Sequence, residues 1–125
     1  MVTDLVVGRE IGQGEELLRA LDRARFPVCA ALWSLKAGTW RYVIASSVVV
    51  DEGAREAYRQ VNDILRSTQV GMSLADITVV GPQDPVVQAL RPVVHTGPDE
   101  ASGVRVTADT INHVFIEDGS IHRMA

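Results

Sequence analysis

The strongest constraint in this sequence is a pair of neighbouring apolar runs that predicts a β-hairpin. Residues 28–35 and 40–50 have the length and composition of strands, and a four-residue loop separates them. A loop with an even number of residues predicts that Trp33 pairs with Tyr42. Because side chains alternate along a strand, Trp40 then lies on the same face as these two residues.

The two faces of the predicted hairpin differ in chemistry. One face, called here the aromatic face, holds three of the six aromatic residues of the chain. A helix of the same chain, a second copy or protein partner, or a flat small ligand would each cover such a surface. The aromatic face comprises Trp33, Trp40 and Tyr42 together with Cys29, Ala31, Leu35 and Ile44, and the smoother opposite face comprises Val28, Ala30, Leu32, Val43 and Ala45.

Three segments have the periodicity of amphipathic helices. Residues 14–24 and 54–65 repeat apolar side chains at helical spacing, and Asp51 is placed to cap the second of these helices. An Asp-Pro pair at residues 84–85 predicts the start of a short third helix. Residues 1–13 fit either a helix or a strand.

The remaining strands define the fold class. Residues 76–80 follow the second helix, which predicts a right-handed β-α-β crossover and a parallel strand pair. Three more strands are predicted at residues 104–107, 112–117 and 120–124, with Asp118-Gly119 as a type I′ turn between the last two. The sequence therefore predicts one α+β domain over residues 1–125. It has a mixed sheet of five to six strands, formed by an N-terminal hairpin, the crossover and a C-terminal hairpin, and packed with three helices.

Composition restricts the classes of partner. The chain is 46% hydrophobic and 22% charged, as in ordinary globular proteins, and its net charge of −4 argues against a nucleic-acid partner. The lone Cys29 excludes an internal disulfide and predicts a reducing, cytoplasmic location. No apolar run approaches the roughly 18 residues of a membrane span, and no secretory signal pattern is present, so we expect no membrane partner.

The predicted C-terminal hairpin offers one candidate metal site. A turn at Asp118-Gly119 would place His113, His122 and Glu117 on one face, with the two histidines about 7–8 Å apart at the backbone. Only the fold would bring His95 close enough to complete this set. Because the spacing matches no familiar metal motif, we assign no metal and no cofactor. A metal-assisted hydrolase using these residues is the alternative function.

Two other features invite a catalytic interpretation. Cys29 opens an apolar strand, which favours a buried and inert thiol over a nucleophile. Gly8, Gly12 and Gly14 precede the first predicted helix but lack the spacing of a phosphate-binding loop, and acidic residues 15 and 16 would repel a phosphate. The glycines are therefore interpreted as a flexible segment before the helix.

Several segments resemble a group of small bacterial proteins with no assigned activity. The resemblance spans most of the chain and implies no activity, cofactor or catalytic residue. It is carried by Phe26-Pro27-Val28, Ala30-Ala31-Leu32-Trp33, Trp40-Arg41-Tyr42-Val43-Ile44-Ala45-Ser46, Thr96-Gly97-Pro98 and Ile116-Glu117-Asp118.

The function predicted from the residues is therefore that of a noncatalytic binding domain. The sequence shows no convergent set of nucleophile, base and oxyanion donors. The aromatic face formed by Trp33, Trp40 and Tyr42 is the candidate binding site. We expect it to act through self-association in a homo-oligomer, through a protein partner or through a small ligand.

Overall fold

Within the part of the chain that the structure describes, a mixed sheet of five strands forms the centre of the protein. The computed structural model describes residues 9–94, 96, 104–111 and 113–125. The sheet has the order β3-β2-β1-β5-β4, in which β2 and β3 are parallel and all other neighbours are antiparallel. The strands are β1 Ala30–Lys36, β2 Thr39–Ala45, β3 Ile77–Val80, β4 Val104–Ile111 and β5 Val114–Met124.

The helices lie on both sides of this sheet. They are α1 Arg9–Arg23, α2 Val48–Glu52, α3 Ala54–Thr68 and α4 Pro85–Leu90, with a short 3-10 turn at Leu74–Asp76. These elements confirm the predicted α+β class, with one short helix more than the three expected. Among the helices of the described ranges, none combines the length and the apolar character that crossing a membrane requires.

The additional helix, α2, corrects the prediction for residues 48–52. The sequence predicted a strand through residue 50 and a cap at Asp51, but β2 ends at Ala45 and Asp51 lies in the first turn of α2. The Ser46 hydroxyl accepts a hydrogen bond from the Val48 amide at 3.2 Å, which starts the turn. Gly53 has φ 94° and separates α2 from α3, a conformation that glycine adopts without steric cost.

The first hairpin has the predicted register. Trp33 is paired with Tyr42 along the β1–β2 ladder, so the two aromatic rings lie on the same face. The strand begins at Ala30 rather than at residue 28, however, so the alternation of side chains between the two faces also begins there. Val28 consequently packs with the aromatic face and Cys29 with the opposite face, the reverse of the prediction for these two residues.

Helices of the same chain cover both faces of the hairpin. Side chains of α1 and α3 pack on the aromatic face, whereas α4 packs on the opposite face. This arrangement places two apolar layers around the sheet, as expected for an α+β domain. The first layer includes Leu17, Leu18, Leu21, Ala57, Val61 and Leu65, and the second includes Val87, Leu90, Ala30, Leu32, Ala45 and Ile121.

The C-terminal hairpin turns at a different place from the one predicted. Asp118 and Gly119 lie within β5, which pairs with β1 on one side and β4 on the other. A turn there would break hydrogen-bonded ladders on both sides, and this cost outweighs the local preference of Asp-Gly for a turn. The chain instead reverses between the paired residues Ile111 and Val114, where His113 has φ 70°.

Gly14 sets the distance between α1 and the sheet. A Cβ atom at this position would lie 2.8 Å from Trp33 Nε1, 2.8 Å from Tyr42 Cε1 and 3.0 Å from His122 Cε1. Residues 9–14 are helical rather than a flexible lead-in, and Gly14 is closely packed, while Gly8 lies outside the described residues.

Gly14→Ala is expected to lower the free energy of unfolding by about 1–2 kcal/mol. The added methyl group overpacks the core, and this cost exceeds the roughly 1 kcal/mol that alanine adds to helix propensity. Gly12→Ala is the matched control, because a Cβ there meets no atom within 4 Å, and it should stabilise by up to about 1 kcal/mol. Urea unfolding measures both effects. Equal stabilisation by the two variants would contradict the close contact at Gly14.

Candidate functional site

The structure places the aromatic face in the core. Trp33 is 4% exposed and Tyr42 is fully buried, with ring centroids 5.1 Å apart and planes tilted by 55°. Trp40 is partly buried at the edge of the same cluster, and its indole nitrogen has no hydrogen-bond partner among the residues described. Because α1 and α3 cover the rings, Trp33 and Tyr42 present no surface to a partner in this conformation.

A bulge in β5 turns two consecutive side chains toward α1. Ala31 pairs with Arg123 whereas Leu32 pairs with Ile121, so His122 is the additional residue between them. Such a bulge cancels the normal alternation of faces. His122 contacts Tyr42 on the aromatic side of the sheet. The next residue, Arg123, reaches α1 on the same side.

The first of these side chains, His122, is fully buried beside Tyr42. Its Nδ1 atom lies 2.9 Å from the Tyr42 hydroxyl oxygen in a hydrogen bond. Burial raises the pKa of Tyr42, an effect that Glu15 reinforces, so this side chain remains a hydroxyl. The other ring nitrogen of His122 is buried without a hydrogen-bond partner in the part of the chain described.

The second side chain, Arg123, forms a bidentate ion pair with Asp22 of α1. The two terminal nitrogens of the guanidinium group, Nη1 and Nη2, each donate to one oxygen of the Asp22 carboxylate at 2.8 Å. The arginine side chain is 1% exposed, whereas that of Asp22 is 35% exposed. A buried guanidinium requires such a partner, because leaving it unpaired would cost several kcal/mol. The pair therefore attaches the last turn of α1 to the end of β5.

The predicted metal ligands do not come together. His113 is exposed at the turn before β5, whereas His122 is buried near the other end of that strand. They are nine positions apart along extended chain, which corresponds to roughly 25–30 Å. Glu117 accepts a hydrogen bond from the Ala37 amide at 2.6 Å, and His95 lies outside the described residues. Within the described ranges, no group of three His, Cys, Asp or Glu side chains can hold a metal ion.

An arginine-lined cleft lies at one edge of the sheet. It has a volume of about 430 Å³. The carboxyl ends of β2, β3 and β5 and the amino end of β1 meet at this edge, because β1 runs antiparallel to β2 and β5. Ligands commonly bind beyond strand ends in open sheets. The lining residues are Asp22, Arg25, Phe26, Pro27, Val28, Cys29, Ser47, Pro82, Arg91, Arg123 and Ala125.

Arg91 and Cys29 form one wall of this cleft. The Arg91 Nε atom donates to the main-chain oxygen of Ala125 at 3.1 Å, which fixes the orientation of the guanidinium group. One terminal nitrogen of Arg91 lies 3.9 Å from the Cys29 sulfur. Burial raises the pKa of the Cys29 thiol, and the charge of Arg91 offsets this only in part. Cys29 is therefore a half-exposed, protonated thiol rather than a poised thiolate.

Arg25 forms the opposite rim in a backbone conformation that favours glycine. Its φ is 61°, and hydrogen bonds from Arg25 N to Asp22 O and from Phe26 N to Leu21 O close the end of α1 as a Schellman motif. The Arg25 side chain is exposed, and within the described ranges it makes no hydrogen bond or ion pair. An arginine therefore occupies a position where glycine would be less strained.

A second depression, of about 380 Å³, lies on the opposite face of the sheet. Its walls include Val43, Val80 and Val86. The nearby Arg41 guanidinium already donates to Thr78 Oγ1 at 2.6 Å and to the Ile77 carbonyl at 3.0 Å. The surface of this depression is mainly apolar, and the charged residues of its described lining are Lys36, Arg41 and Asp84.

Sequence reasoning did not identify the cleft. Its arginines stand at positions 25, 91 and 123, so no local cluster marks them. The sequence contained one signal. Helices commonly end at a left-handed residue, usually glycine, but the residues before Pro27 are Ala24, Arg25 and Phe26, so a non-glycine residue had to take that position. No protein-family model matches this chain, and no curated protein or solved structure shows significant similarity to it.

The buried imidazole makes stability depend on pH. Burial lowers the pKa of His122 below its ordinary value near 6.5, although Glu15 acts in the opposite direction. The unfolded chain therefore binds this proton more readily, and the free energy of unfolding falls as pH drops below about 6.5. Urea unfolding between pH 7.5 and 5 should show this slope in the wild type.

Two histidine variants isolate the group responsible for this slope. His122→Gln should remove its share of the pH dependence, because no titratable ring remains in the core. His113→Asn should retain it, since His113 is exposed and asparagine tolerates φ 70°. An unchanged slope in His122→Gln would assign the pH dependence to another group.

Proposed function

We propose that this protein is a small-ligand-binding domain whose site is the arginine-lined cleft. The observation that carries the proposal is the meeting of four strand ends and the ends of three helices, α1, α2 and α4, around one concavity of about 430 Å³. Cavities of this size accommodate small organic ligands. Backbone hydrogen bonds from Cys29 N to Ala45 O and from Ala125 N to Cys29 O hold part of the wall in place, which reduces the conformational entropy lost when a ligand binds.

The chemistry of the lining supports binding without transformation. Burial raises the pKa of the Cys29 thiol, so the thiol stays protonated. In addition, no histidine lines the described part of the cleft to act as its base. Ser47 is exposed at the rim. Guanidinium groups dominate the remaining polar surface, and these recognise ligands but do not transfer protons near neutral pH. A cytoplasmic location belongs to this proposal, since a free thiol suits a reducing compartment.

The cleft replaces the aromatic face as the proposed site. Binding at Trp33 and Tyr42 would require α1 to leave the sheet, which would expose apolar residues and break the ion pair of Arg123 with Asp22. Burial of the whole α1 stripe opposes that movement. The cleft needs no such rearrangement.

Blocking the cleft provides the test. Ser47→Trp should reduce the affinity of any small ligand at least tenfold, because the indole would occupy the rim of the cavity. Ser47 makes no side-chain cap bond to α2, so the substitution removes no capping interaction. Ser67→Trp is the matched control, because Ser67 is exposed on α3 and does not line the cleft. Amide chemical shifts recorded with a fragment library measure binding and its location.

The expected perturbations lie at Val28, Cys29 and Ser47 in the wild type and in Ser67→Trp. They should disappear in Ser47→Trp. Perturbations that persist in Ser47→Trp, that map to another surface, or that no fragment produces would contradict the proposed site.

A further inference from the structure

We infer that the ligand of this cleft is an organic anion, with an oxyanion group bound by Arg25 and Arg91 and an apolar body against Pro27 and Pro82. This inference rests on the proposed function and names the class of ligand. It follows from the balance of charges in the cleft, from the orientation of Arg91 and from the backbone of Arg25.

The first observation is the excess of guanidinium groups. Among the described lining residues, three arginines face one side-chain carboxylate, that of Asp22. Asp22 is bound to Arg123 through both oxygens and therefore compensates that arginine alone. The charge of Arg25 has no carboxylate side chain opposite it among the described lining residues, and Arg91 donates only its Nε atom to the Ala125 main-chain oxygen, so its two terminal nitrogens remain at the cleft. An oxyanion is the complementary ligand group, since it accepts paired hydrogen bonds from a guanidinium.

The second observation is that Arg91 is oriented before any ligand binds. Its Nε atom is held by the Ala125 main-chain oxygen, which leaves the two terminal nitrogens at the cleft. Only the long 3.9 Å contact with Cys29 involves either of them within the described residues. A fixed guanidinium loses little side-chain entropy on binding, so that more of the hydrogen-bond energy appears as affinity.

The third observation is the strained position of Arg25. A left-handed residue closes α1, and glycine would fill this position at lower cost. The left-handed conformation is shared with Gln69 at the end of α3, and Arg25 differs from Gln69 because its side chain lines the cleft. Arg25 makes no side-chain bond within the described ranges, yet its side chain lines the cleft. Recognition of the ligand accounts for an arginine at this site.

Apolar atoms form the rest of the accessible wall. Phe26 and Val28 are almost fully buried behind it, while Pro27 and Pro82 remain accessible. Proline rings are rigid, so contact with them costs no rotamer entropy. A ligand with a flat or compact apolar body and one oxyanion group matches both parts of the cleft.

Three naphthalene probes of one shape test this class. We would titrate the protein with 2-naphthoate, 2-naphthyl phosphate and the neutral 2-naphthamide, and record amide shifts and dissociation constants. Both anions should bind at least tenfold more tightly than the amide, and comparison of the two distinguishes a carboxylate from a phosphate ligand. Raising the salt concentration from 50 to 300 mM should weaken only the anions, because the cleft is open to solvent.

Arg25→Gly separates recognition from folding. The variant should bind 2-naphthoate about tenfold more weakly and should also raise Tm by about 2–4 °C, because glycine relieves the left-handed strain. Gln69→Gly is the matched control, since Gln69 closes α3 with φ 53° and does not line the cleft. It should raise Tm similarly and leave binding unchanged.

Each outcome bears on one of the two proposals. Equal affinity for 2-naphthamide and 2-naphthoate at the cleft would overturn the anionic class and leave the binding site standing. Failure of all three probes to perturb the cleft would overturn both proposals. Weaker binding in Arg25→Gly together with a lower Tm would show that Arg25 supports the fold rather than the ligand, and would overturn its assigned role.

Discussion

The ion pair between Arg123 of β5 and Asp22 attaches α1 to the sheet, and the position of that helix depends on it. The preceding residue, His122, packs against α1 near Gly14 and is hydrogen-bonded to Tyr42 within the sheet. The β-bulge in β5, which lies opposite Ala31 and Leu32 of β1, turns both side chains toward the helix. Without the additional residue, one of them would point to the opposite face. The bulge thereby permits a hydrogen bond to Tyr42 and an ion pair to Asp22 at adjacent positions.

These polar contacts determine position more than they add stability. A buried ion pair such as that of Arg123 with Asp22 regains roughly what its desolvation costs, so its net contribution to folding is small. Displacing α1 would nevertheless separate a buried guanidinium from the Asp22 carboxylate. Gly14 complements this restraint, because the absence of a side chain lets the helix approach Trp33 and Tyr42 closely. The polar pair fixes where α1 lies and apolar burial supplies the stability.

The sequence was informative where local pattern and global fold agree. Even loop parity fixed the pairing of Trp33 with Tyr42, since a slip by one residue would move every apolar side chain to the wrong face. The turn predicted at Asp118-Gly119 was wrong, because a turn propensity is local, whereas the pairing of β5 with strands on both sides is a property of the whole sheet. His122 could not be placed for a related reason: bulges are set by neighbouring strands and have no pattern of their own here.

The cleft shows why overall charge is a poor guide to ligand class in this chain. A net charge of −4 disfavours an extended phosphate backbone, which contacts a long stretch of surface. A small anion instead responds to groups within about one Debye length, roughly 8 Å at physiological ionic strength. Within that range the lining of the cleft has more guanidinium groups than carboxylate side chains. Under the proposal made above, an acidic protein with a locally cationic cleft repels polyanions and still binds a small anion.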